Sequence, residues 1–212
     1  MTTVYLIRHG ETEANQHKII QGWLDTALSE QGRLQAETLA HRFEALVIDA
    51  VYSSDLSRAI DTAKAICKMK CLPLQTDARL REINMGAWSG RSWSELSEQD
   101  GKRIALFLEL SPAWRAPDGE SFEELRTRVG NALKEIAGRH DGQTIAVVCH
   151  GAAIRHTLAM FKGLSVFETK QEPLGVNTAI SHLEFDGTSV RILLQNDASH
   201  LETGNNAATV CP

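Results

Sequence analysis

An arginine and a histidine stand side by side at Arg8 and His9, where the apolar run at 4–7 (Val-Tyr-Leu-Ile) breaks at Gly10. The carboxyl end of a buried strand is where an α/β protein usually holds its chemistry. A guanidinium offers a planar fork of donors matched to phosphate oxygens, and a neutral imidazole can attack phosphorus and carry the group covalently. The pair suggests phosphoryl transfer through a phosphohistidine. Three further stretches bring chemistry to similar places. In SSDLSRA at 53–59, Ser54 is expected to cap the following helix, setting Arg58 near its positive end, where an anion gains backbone N–H donors and a bidentate guanidinium. In VVCHGAAIR at 147–155, an apolar strand delivers His150 to a helix start, and Gly151 lets the backbone approach a phosphate closely. In LREINMGAWSG at 80–90, Glu82 is the candidate proton donor.

Taken singly, each residue has an ordinary reading as well. Arg8 and His9 could form surface salt bridges at a strand end, Arg58 a solvated helix face, His150 a helix cap, and Glu82 an ion pair with Arg79 or Arg81. Their joint occurrence in this order favours the site.

Together these stretches, above all RHGET at 8–12, resemble the histidine phosphatase superfamily, also called the phosphoglycerate-mutase-like family, over nearly the whole chain. The resemblance implies that His9 is phosphorylated, that Arg8, Arg58 and His150 hold the phosphoryl oxygens, and that Glu82 is acid and then base. Asn15, Gln21 and Gly22, within RHGETEAN and IIQGWLD, match family positions lining the phosphate or substrate side of the pocket. NDASHLE at 196–202 also resembles phosphatases of this group and would bring His200 to the pocket rim; an ordinary helix cap in the tail is the alternative.

Mutases of the family typically follow the acidic residue with RHYG, which grips the phosphoglycerate carboxylate. Here Ile83, Asn84, Met85 and Gly86 follow, and the chain length and the EIxxGxWxG pattern from Glu82 to Gly90 resemble the shorter broad-specificity and α-ribazole phosphatases. The implied activity is hydrolysis of a small phosphorylated metabolite without metal or cofactor. A phosphoglycerate mutase and a non-catalytic phospholigand-binding module are the alternatives.

The chemistry sets physical demands. His9 must be neutral at its attacking nitrogen, so its other ring nitrogen should donate to a nearby backbone carbonyl. Arg8, Arg58 and a protonated His150 would face the equatorial oxygens, each contributing roughly 3 to 4 kcal/mol if they act like oxyanion-hole donors.

Positioning such groups requires a sheet with helices behind it. Apolar runs at 4–7, 50–52 and 145–149 read as buried strands, each followed by a helix-period segment. Helices are expected over 29–46, with Leu34, Leu39, Phe43 and Leu46 inward, over 56–69, and over 121–137 from a capping box at Ser121 and Glu124. Segments 178–185 and 190–194 flank Asp186 and Gly187 as an antiparallel hairpin. The expected fold is a three-layer α/β/α sandwich whose mostly parallel sheet ends in an antiparallel C-terminal strand. Residues 83–120, broken by glycines and prolines, fit this rhythm poorly and read as a small cap inserted into a single domain spanning 1–212. Trp23, Trp88, Trp93, Phe107 and Trp114 read mostly as core. The tail at 204–212 is given no structure.

Composition narrows the partners. With 22 basic and 27 acidic residues the formal charge is −5, which disfavours nucleic acid but not a small anion focused in a cleft. No apolar run approaches the ~20 residues of a membrane span. Cys67, Cys71, Cys149 and Cys211 show no disulfide pattern and point to free thiols in a cytoplasmic protein. Cys149 is expected to turn away from His150, and the two histidines lack a third metal ligand at a recognised spacing. A homodimer is left open.

Overall fold

The computed structural model describes residues 1–206, with side chains through residue 202. In chain order the elements are β1 (Thr2–Arg8), α1 (Glu13–Gln16), α2 (Glu30–Arg42), β2 (Ala50–Ser53), α3 (Ser57–Lys70), β3 (Leu74–Thr76), α4 (Trp93–Gln99), α5 (Gly101–Leu108), α6 (Phe122–Gly138), β4 (Thr144–Cys149), α7 (Gly151–Phe161), β5 (Ile180–Asp186), β6 (Ser189–Asp197) and α8 (Ser199–Asn206). They form one six-stranded sheet in the order β3-β2-β4-β1-β5-β6. The first four of these run parallel, and β5 and β6 close the sheet with antiparallel pairings.

Side-chain alternation divides the core in two. Val4 and Leu6 of β1, with Ile145, Val147 and Cys149 of β4, face a cluster that includes Leu125, Val129 and Leu133 of α6 and Leu158 of α7. Ile7, Ala146 and Val148 face the opposite cluster, with Leu39 of α2 and Ala59, Ala63 and Ile66 of α3. Both strand faces are therefore buried, which is why these strands are continuous apolar runs. The sandwich is the expected one, and Cys149 lies in the α6–α7 layer, away from the chemistry.

Parallel register places the site. Arg8 pairs with Cys149 and Ser53 with Val148, so β1, β2 and β4 end level. The segments that follow them carry His9, Arg58 and His150 to one edge of the sheet.

The 83–120 segment includes α4 and α5. Trp88 and Trp114 are buried, as expected, but they join the α6–α7 core instead of making a separate one. Phe107, Trp114, Phe122 and His156 continue the contact as a chain of rings, with neighbouring centroids 4.9, 4.5 and 4.5 Å apart. Trp23 departs from the core reading: it is 36% exposed.

Several boundaries also differ from expectation. Helix α2 ends at Arg42, and Leu34 is exposed because Leu39, Ala36 and Ala40 supply the inner face. The hairpin turn falls at Gly187 and Thr188, one residue later than expected. Helix α8 continues through Asn206, so the first three residues of the 204–212 tail are helical; 207–212, including Cys211, lie outside the described residues. Cys67, Cys71 and Cys149 are free thiols. Among the described residues no helix is long and apolar enough to cross a membrane.

Candidate active site

His9 leaves β1 with its backbone N–H donating to the Cys149 carbonyl at 3.0 Å, which ties it to the end of β4. Its Nδ1 lies 2.7 Å from the Gly10 carbonyl. A carbonyl only accepts, so the proton sits on Nδ1 and Nε2 keeps its lone pair, the arrangement the chemistry demands. Burial, followed by the charges of Arg58 and Arg8, holds the ring well below the ordinary histidine range and keeps it neutral.

Arg58 occupies the second turn-forming position of α3 and is 1% exposed. Three of its N–H groups are engaged: Nε faces His150 Nδ1 at 3.3 Å, Nη1 donates to the Leu24 carbonyl at 2.9 Å, and Nη2 donates to the Gly22 carbonyl at 2.8 Å. A guanidinium carries five, so two remain for a ligand. The expected cap is absent, because Leu56 holds the N-cap position without a side-chain bond and Ser54 reaches only the Leu56 N–H at 3.4 Å.

His150 is the N-cap residue of α7 and is fully buried. Its ring centroid lies 5.2 Å from that of His9. Burial and the Arg58 charge push it well below the usual histidine range. The protonated His150 expected from sequence is thus corrected to a neutral ring that accepts at Nδ1 and carries its proton on Nε2.

Arg8 donates through Nη1 to the Gly175 carbonyl at 2.6 Å. A Cβ on Gly151 would stand 3.2 Å from both Cζ and Nε of Arg8. This glycine therefore admits the arginine's fork to the start of α7, where a close backbone approach to phosphate itself was expected.

Glu82 sits at the same helix start. Oε2 accepts from the Ala152 N–H at 3.0 Å, and Oε1 accepts from Ala153 and from Ile83, each at 2.9 Å. The ion-pair alternative fails, since Arg81 binds Asp55 and Arg79 binds Asp77 and Glu135.

Asn15 and Gln21 brace the loop beyond His9 through a shared partner. The Thr12 hydroxyl lies 3.0 Å from Asn15 Oδ1 and 3.1 Å from Gln21 Oε1. Gly22 contributes its carbonyl to Arg58 at a φ of +50°, and a Cβ there would strike Met85 at 2.9 Å. His200 does not stand at a rim. It is 5% exposed, and its Nε2 lies 3.0 Å from the Thr178 hydroxyl, while the Thr178 N–H donates to the Arg8 carbonyl at 3.1 Å. It backs the strand end from behind.

Some supporting groups escaped the sequence reading. Thr62, one turn after Arg58, donates to the Arg58 carbonyl at 2.7 Å and accepts from the Gly10 N–H at 2.9 Å; its i+4 spacing from Arg58 was the available signal. Asn177 donates to the His9 carbonyl at 2.9 Å from 168 residues away, and nothing local marks it.

Within this site Arg8 Nε and His150 Nε2 are buried with no hydrogen-bond partner among the described residues. Neither Arg8 nor Arg58 belongs to an ion pair among those residues. Buried cations and donors of this kind are costly unless an anion completes them.

Residues 4–198 match the histidine phosphatase superfamily (branch 1). The chain belongs to this superfamily. By sequence it is 36% identical over 204 residues to phosphoglycerate mutase-like protein 4 of Arabidopsis thaliana, covering 94% of this chain and 86% of that one. By structure it is similar to YhfR of Bacillus stearothermophilus, with a TM-score of 0.91, 33% identity, and coverage of 95% of this chain and all of that one. It is also similar to the phosphoserine phosphatase of Entamoeba histolytica, with a TM-score of 0.84, 28% identity, and coverage of 95% and 100%.

Proposed function

We propose that this histidine phosphatase hydrolyses small phosphomonoesters through a phosphohistidine on His9, without metal. The observation that carries the reading is the set of unpartnered donors on Arg8 and His150, with the buried Arg58 and half-buried Arg8 outside any ion pair, gathered around a neutral histidine with a free Nε2. In the first step the His9 Nε2 lone pair forms a bond to phosphorus as the ester P–O bond breaks, and Glu82 gives its proton to the leaving oxygen. Arg8, Arg58 and the His150 Nε2–H hold the three equatorial oxygens as charge redistributes. Water then attacks phosphorus, its proton passes to the Glu82 carboxylate, and cleavage of the P–N bond restores His9. The positive charge a metal would supply comes in this reading from the two guanidinium groups.

The residues after Glu82 support hydrolysis over phosphoglycerate interconversion. Ile83 and Met85 are each 3% exposed, and Asn84 turns its Oδ1 back onto the Gly86 N–H at 3.0 Å. Arg81, Arg128 and Arg115, which lie on or beside this loop, are paired with Asp55, Glu120 and Glu124. No cation on this loop is left to grip a substrate carboxylate. In the same proposal the chain is a single domain with 83–120 as its cap, and the partner is a phosphorylated metabolite.

The test is phosphate release from a panel of phosphomonoesters, 3-phosphoglycerate included, with chelator present. Release from several esters is expected. Interconversion of phosphoglycerates far faster than phosphate release would overturn the phosphatase reading, and absence of both activities would leave a binding module.

A further inference from the structure

Trp23 lies between the two halves of the site in a way that the reaction scheme does not use. Arg58 clasps the carbonyls on either side of it, Gly22 at 2.8 Å and Leu24 at 2.9 Å. From the peptide between them the Trp23 Nε1–H reaches across to the Glu82 carbonyl at 2.7 Å. Arg128 donates to that carbonyl too, at 3.1 Å. The indole face is covered by two guanidinium groups, Arg81 with its Cζ 5.0 Å from the ring centroid and Arg128 at 5.8 Å.

We propose that Trp23 is a positioning residue that ties the proton donor Glu82 to the phosphate-holding Arg58. The Glu82 side chain is anchored at one end by the first amides of α7. Its backbone has no strand or helix to fix it, because Glu82 lies in the irregular stretch between Leu80 and Gly86. The indole N–H and Arg128 supply that second anchor. Since the loop carrying Trp23 is itself fixed by Arg58, the carboxyl is held at a set distance from the guanidinium that grips the phosphoryl group. An indole used only as apolar cover would not need its N–H, and at 36% exposure it covers little.

The inference rests on Glu82 acting as the acid. Trp23→Phe keeps a ring for the two cations and removes only the donor. The measurement is kcat/KM for two esters of similar bulk, phenethyl phosphate, whose alcohol needs a proton to leave, and p-nitrophenyl phosphate, whose phenolate does not. A misplaced acid should lower kcat/KM for phenethyl phosphate about tenfold, as small displacements of catalytic groups do, and leave p-nitrophenyl phosphate within about twofold. Equal losses on both esters, or no loss on either, overturn the proposal. Glu82→Gln is measured alongside. If it discriminates between the esters and Trp23→Phe does not, the positioning role alone fails. If Glu82→Gln does not discriminate, the acid assignment fails and the positioning role falls with it.

Discussion

Arg58 faces Nδ1 of His150 with its Nε–H across 3.3 Å, so the two side chains orient each other. Arginine has only donors, and the bond therefore fixes the imidazole as the neutral tautomer with its proton on Nε2. The same carbonyl logic at Gly10 fixes His9 as the opposite tautomer, protonated on Nδ1. In the proposed reaction one ring gives a hydrogen bond to the phosphoryl group and the other attacks it.

These tautomers lead to a pH prediction. Burial and the neighbouring arginines lower the affinity of both rings for a second proton, so each stays neutral below the ordinary value of 6.5. As pH falls, protonation of His9 should remove the nucleophile only at pH values below that of a free histidine. After correction for ionisation of the ester, kcat/KM should hold through pH 6.5 and decline below it. Nitrogen-15 shifts of the two rings should report the Nδ1–H form for His9 and the Nε2–H form for His150. An acid limb centred at or above 6.5 would contradict the assignment.

Gly151→Ala should separate activity from stability. The new methyl would stand 3.2 Å from Cζ and Nε of Arg8, so the guanidinium must move by a few tenths of an ångström. Alanine suits the first turn of a helix, and thermal stability should change by less than about 1 kcal/mol. The kcat/KM should nevertheless fall by roughly ten- to a hundredfold as the fork is misaimed. Unchanged turnover would remove Arg8 from the phosphate cradle.

The unpaired arginines predict stabilisation by anions. Inorganic phosphate or vanadate should raise Tm, reaching a gain of about 2.7 kcal/mol when the anion is a hundredfold above its Kd. Arg58→Met should lose most of that gain and about a hundred- to a thousandfold in kcat, the range for a preorganised donor. A Tm indifferent to both anions would contradict the cradle.

Much of this site was legible because parallel strands in register end together. His9, Arg58 and His150 each follow such a strand end, so reading three apolar runs located three groups that meet in space. The supports were less visible. Asn177 and the Gly175 carbonyl reach Arg8 and His9 from a loop that approaches only through the antiparallel return of β5. The neutral state of His150 is not legible in sequence, because it follows from burial and from the side of the ring that Arg58 meets. Ser54 looked like a cap because it precedes a helical pattern, but the chain begins that helix only after Leu56. Trp23 shows the limit of counting aromatics as core: its surroundings are two arginines and a carbonyl, which no periodicity signals.

The central claim is a covalent phosphate on one nitrogen of one histidine. The direct measurement is rapid acid-free quenching of the protein during turnover of a phosphomonoester with chelator present, followed by peptide mass spectrometry. One added phosphoryl group is expected on His9, with no such adduct in His9→Ala and loss of phosphate release in that variant. Phosphate release undiminished in His9→Ala, or a phosphoryl group found on another residue, would contradict it.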